Sequence, residues 1–244
     1  MTAPPPAAIE AVIFDWGGTL SIWADVDLED LWRVAAQHLA PDDPDGLLRR
    51  LIQVEQRFWK EVEATQTSRS LGDVLASATR ELELDVADAL LEEAATHHLD
   101  AWTPHIRHDP DAAAVLEQLR ERGLRIGLLS NTLWPRAYHE HFLERDGLRA
   151  AIDARLYTSD MSHTKPHPSA FAAALKALEV GDARRAVFVG DRPFDDIHGA
   201  NRAGMRTVLR PNPTVPGYDA APDAIIDDLP SLVAVVDGWL EGGG

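Results

Sequence analysis

The chain has 244 residues, a formal charge of −17 with histidine neutral, 45% hydrophobic and 26% charged residues, and no cysteine. That length and apolar share suit a soluble globular protein of one large or two modest domains. The missing cysteine excludes disulfides, thiolate nucleophiles and Cys-based zinc or iron–sulfur centres, and the acidic balance excludes a protein that tracks a nucleic-acid backbone.

No apolar run approaches the ~18 residues needed to cross a bilayer. The start, Met1-Thr2-Ala3-Pro4-Pro5-Pro6, lacks the basic-then-apolar layout of a secretory signal. A cytoplasmic location is therefore expected, with no membrane and no nucleic-acid partner. Residues 1–8 read as a disordered Pro/Ala lead. Glu10–Phe14 is a short, nearly all-apolar run ending at Asp15, the pattern of a strand buried on both faces.

Residues 21–103 carry helical periodicity and no convincing strand. Leu28, Leu31, Trp32 and Ala35 recur at helical spacing, followed by Leu48, Leu51, Ile52, Glu55, Phe58 and Trp59. Leu71, Val74, Leu75 and Ala78 continue the pattern, then Ala87, Leu90, Leu91 and Ala94. Breaks at Pro41–Pro44, Thr65–Ser68 and near Asp85 divide the stretch into four helices. From Pro104 helix and strand alternate. Helices are expected over 109–122, 135–145, 168–178, 195–203 and 229–240, and strands over 124–129, 152–157, 186–189, 206–209 and 224–226. This grammar implies an α/β fold: a Rossmann-like, doubly wound parallel sheet with an inserted α-helical cap domain. The expected division is 1–20 and 104–244 for the core and 21–103 for the cap.

Ligands of open α/β sheets lie beyond the carboxyl ends of the strands, so Asp15, Ser130 and Asp191 should converge there. A carboxylate can attack phosphorus and form an aspartyl-phosphate. Gly17-Gly18 lets the backbone turn sharply and approach a ligand. Ser130-Asn131 offers a hydroxyl and amides that grip phosphoryl oxygens without adding charge. Lys165 is one of only three lysines, with Lys60 and Lys176, among 23 basic residues. A retained lysine suits a need for a compact ammonium, here to neutralise a phosphoryl group beside Asp15. Asp191, Asp195 and Asp196 crowd one strand end, which is costly unless a cation shares them. Mg²⁺ fits, with Asp15, Asp191 and the Gly17 carbonyl as ligands and Asp196 behind them, orienting ligands or Lys165. Each residue singly also has a structural reading: Asp15 as a turn cap, Lys165 as a surface lysine, Asp195 as a helix N-cap.

Asp15-Trp16-Gly17-Gly18-Thr19, Ser130-Asn131, Lys165-Pro166 and Gly190-Asp191-Arg192-Pro193-Phe194-Asp195-Asp196 resemble, in order and spacing, the four motifs of the haloacid dehalogenase superfamily. The helical block resembles the cap that one large subclass places between the first two motifs. The resemblance implies Asp15 as nucleophile, Ser130 as phosphate binder, Lys165 as charge stabiliser and Asp191 as metal ligand of a Mg²⁺-dependent phosphatase acting on a small phosphorylated substrate, as monomer or homodimer. It also implies a second Asp two residues after the nucleophile, to protonate the leaving oxygen and activate water. Gly17 stands there instead. Three readings follow: a phosphatase with a substitute acid (Asp25, His163 or His167), chemistry whose leaving group needs no proton, such as a C–P bond hydrolase of phosphonoacetaldehyde-hydrolase type, for which Lys60 is the lone cap lysine, or a non-catalytic protein that binds a phosphorylated ligand. Among the cap residues Trp32, Arg49, Arg50, Phe58 and Trp59, most are expected to pack and some to touch substrate.

Overall fold

A computed structural model of the protein describes residues 8–242. The expected Pro/Ala lead lies outside the described residues except for Ala8. Strands β1 (Ala11–Phe14), β2 (Arg125–Ser130), β3 (Ala154–Tyr157), β4 (Ala186–Gly190), β5 (Arg206–Leu209) and β6 (Ala224–Ile225) build one 6-stranded sheet, ordered β3-β2-β1-β4-β5-β6. Every pairing is parallel, as helix–strand alternation requires. All of β1 is buried, which is why its sequence is a continuous apolar run.

Between β1 and β2 lie α1 (Leu28–Leu39), α2 (Pro44–Thr65), α3 (Leu71–Glu81), α4 (Asp88–Trp102) and α5 (Ala112–Glu121). After β2 come α6 (Arg136–Arg145), α7 (Pro168–Ala177), α8 (Gly199–Ala203) and α9 (Pro230–Glu241). The strand pleat sorts β1 between two cores. Val12 and Phe14 face α5, α6 and α9, while Ala11 and Ile13 face α7 and α8. A third core belongs to α1–α4, where Trp32, Leu51, Val54, Leu75 and Ala78 meet. Trp134 and Tyr138 pack against both this cluster and the sheet core, and so join the block to the sheet.

Local chemistry sets the breaks. Asp43 caps α2 ahead of Pro44, and Gln66 ends it in the left-handed region at φ 56. Ser70 and Asp73 form a capping box that starts α3. The helix expected over 195–203 differs: Pro193–His198 is a wider π-turn, and only Gly199–Ala203 is α-helical. Such turns re-aim side chains that a regular helix would point elsewhere.

Candidate active site

Phe14 pairs with Leu128 on one side and Val189 on the other. The next residue, Asp15, therefore emerges between the ends of β2 and β4, where the strand order reverses. Its N–H donates to the Val189 carbonyl at 2.8 Å. Ser130 is the last residue of β2, and Asp191 directly follows β4. All three are buried on this one rim.

Lys165 reaches the same rim from the loop between β3 and α7. Asn131 holds that loop through both main-chain groups of Lys165: its Nδ2 donates to the Lys165 carbonyl at 2.9 Å, and its Oδ1 accepts the Lys165 N–H at 2.8 Å. The Asn131 side chain is thus occupied in placing the lysine. The Lys165 Nζ donates to Asp15 Oδ1 and Asp196 Oδ1, each at 2.6 Å, and lies 5.2 Å from the Phe188 ring centre. Burial alone would lower its proton affinity, but Asp15 and Asp196 reverse this and hold it above the usual lysine range. It stays an ammonium. Burial pushes the Asp15 carboxyl up to about 7, with Lys165 opposing and Asp196 and Asp191 adding to the rise.

Asp191 is anchored through one oxygen only. Its Oδ2 accepts from Trp23 Nε1 at 2.9 Å and from Asn212 Nδ2 at 3.1 Å. Its Oδ1 is buried with no hydrogen-bond partner. Burial, and then Asp196, raise its proton affinity. Carboxylate oxygens of Asp15, Asp191 and Asp196 lie within 4.8 Å of one another. Three carboxylates around one ammonium leave excess negative charge, and an orphaned anionic oxygen in such a cluster fits a divalent cation. Both oxygens of Asp196 are already engaged, Oδ1 by Lys165 and Oδ2 by the Arg192 N–H at 3.0 Å. That sets Asp196 behind Asp15 and Asp191 rather than beside them.

Two glycines make the crowding possible. Gly18 sits at φ +78, and a Cβ there would collide with the Asp191 carboxylate and the Trp23 indole; one at Gly190 would collide with Asp196. Gly17 is unlike them. A Cβ there would meet only the Trp23 ring, at 3.8 Å, and its φ lies outside the left-handed region.

Several expected residues fall elsewhere. Asp195 is no helix N-cap: it lies inside the π-turn, and its carboxylate pairs with the Arg192 guanidinium at 2.5 Å. His163 and His167 stack at 3.8 Å and both contact the Ser169 hydroxyl, while His167 caps α7. Asp25 is exposed. Lys60 makes no ion pair among the described residues, because Glu61 is shared by Arg57 and Arg69. Trp32 and Phe58 are buried in the helical core, and Arg50 binds Glu81. Sequence reasoning missed Trp23 and Asn212. The one available signal was Ile22-Trp23, an apolar pair in a linker, and both residues are half exposed.

A model of the family described as haloacid dehalogenase-like hydrolase matches residues 9–204, and the chain belongs to that family. It is therefore a hydrolase built on the fold described above. A phosphatase of Mycobacterium tuberculosis is 30% identical over 95% of this chain and 98% of that one. A glyceraldehyde 3-phosphate phosphatase of Pyrococcus abyssi is 39% identical over 43% of this chain, a match that spans only 42% of that relative. Among solved structures, a 2-haloacid dehalogenase of Pseudomonas syringae superposes with a TM-score of 0.72 at 27% identity, covering 95% of this chain and 99% of the other. No helix among the described residues is long and apolar enough to cross a membrane.

Proposed function

We propose that the protein is a Mg²⁺-dependent phosphatase acting on a small phosphorylated metabolite through an aspartyl-phosphate on Asp15. The observation that carries this reading is the buried rim itself: a nucleophile-grade carboxylate held by an ammonium, beside an Asp191 oxygen with no hydrogen-bond partner among the described residues. The phosphatase names of the full-length and partial relatives support it. Asp15, Asp191 and the Gly17 carbonyl would hold Mg²⁺, which would supply charge neutralisation for the phosphoryl oxygens.

The remaining work falls to the protein's own side chains. Lys165 holds Asp15 Oδ1 and opposes the rise that burial imposes on its proton affinity, which leaves the other oxygen for phosphorus. Asp15 forms a bond to phosphorus as the bond to the leaving group breaks. Water then displaces phosphate from Asp15 and restores the carboxylate. Ser130, the Asn131 main chain and the Gly18 turn receive the phosphoryl oxygens, with Lys165 dispersing their charge. Asp196 keeps the ammonium in place, and Asp195 restrains Arg192 beside it. Residues 21–103 serve as a cap that excludes water and selects the substrate. Asp15→Asn should abolish Mg²⁺-dependent turnover of an aryl phosphate by about 10⁴-fold or more, the scale of a removed nucleophile. Retained turnover in that variant would sink the reading.

A further inference from the structure

Among the described residues, each ionisable side chain at the rim is held through at least one atom. Lys165 binds Asp15 and Asp196, Asp195 binds Arg192, and Asp191 is held by Trp23 and Asn212. Gly17 and Gly18 lie against the Trp23 indole, itself 52% exposed. None of these has a proton to give. Glycine carries no side chain, and the indole N–H is committed to Asp191. Among the described residues, only the Trp23 ring comes within 4 Å of a Cβ at Gly17, Asp25 is exposed, and His163 and His167 are engaged with Ser169. A leaving oxygen departing past Gly17 would meet no acidic side chain from that position and would carry its own charge away.

We propose that the natural substrate has a leaving group that departs as a stable anion: an acyl, enol or aryl phosphate rather than a phosphorylated alcohol. This rests on the phosphatase reading. Asp15 bonds to phosphorus, the bond to the leaving oxygen breaks, and its electron pair leaves with a carboxylate, enolate or phenolate. Water then attacks phosphorus, the bond to Asp15 breaks, and the protons of water pass to phosphate and solvent. Neither step takes a proton from the protein.

The test is single-turnover release, with Mg²⁺, from aryl phosphates of decreasing leaving-group acidity and from an alkyl phosphate of similar size. The wild-type rate should fall by about 10²–10⁴-fold from the most acidic phenol to the alcohol, the worth of a positioned acid. Gly17→Asp, which the space beside Trp23 admits, should restore most of that loss for the alkyl phosphate. Gly17→Asn, similar in size but without an acid, should not. Thermal unfolding checks that both variants fold, and the wild-type series decides the matter even if they do not. Equal wild-type rates for the aryl and alkyl phosphates would overturn the inference and leave the phosphatase intact. No consumption of any member, with no phosphate trapped on Asp15, would overturn the phosphatase reading itself.

Discussion

The helical block and the sheet rim bury polar groups on opposite plans. In the block, Trp32 donates to Glu55 at 2.7 Å, and His98 Nδ1 meets the Leu31 carbonyl at 3.1 Å while its Nε2 accepts from Trp102 at 3.3 Å. Trp32 and His98 stack at 3.9 Å. These polar atoms satisfy one another, and their burial serves the core they sit in. At the rim, Asp15 and Asp196 share one ammonium, Asp191 lies beside them, and Asp191 Oδ1 has no partner among the described residues. Charge there is held in a state that only a ligand completes. The polar burial around Trp32 and His98 is structural, and the unbalanced carboxylates of the rim mark a candidate site.

Removing the ammonium should break that contrast most severely. Lys165→Met leaves the buried Asp15 and Asp196 carboxylates without their counter-ion, so stability should fall by about 3–5 kcal/mol. Urea unfolding without Mg²⁺ measures it, and an unchanged midpoint would mean the carboxylates are not charged together.

The block should respond instead to acid. Burial pushes His98 down to about 4, below the ordinary 6.5. As pH falls from 6.5 toward 4, the unfolded chain takes up a proton that the folded chain refuses. Stability is therefore complete above 6.5 and declines below it, by up to about 3 kcal/mol. His139, buried in the sheet core and pushed down to about 3, adds to the same slope. His98→Gln should remove only the first contribution; identical pH slopes in variant and wild type would refute it.

The smallest effect sharpens the comparison. Trp23→Phe keeps the ring and deletes one hydrogen bond to Asp191, so Mg²⁺ affinity by calorimetry should weaken by about 10–100-fold. Stability should move by no more than ~0.5 kcal/mol, since the residue is half exposed. Unaltered affinity would show that Asn212 alone orients the carboxylate.

Asp15, Ser130 and Asp191 were legible because each ends a buried apolar run, and a parallel sheet sends all such ends to one rim. The four helices of the block were legible from their 3.6-residue spacing and from the turn residues between them. Gly17 was legible as a departure, though not that Trp23 lies against it. Asn131 was legible as a residue of the site, but its side chain turns out to hold the Lys165 main chain. Trp23 and Asp191 lie 168 positions apart, and no local pattern encodes that contact. Asp195 and Asp196 are neighbours of identical chemistry, yet one pairs with Arg192 and the other with Lys165. Periodicity and strand ends are local properties, so the amino-acid order alone determines the fold class and the rim. Which carboxylate meets which cation depends on a wide turn and on chain segments brought together from afar, and that was decided only when the tertiary structure closed.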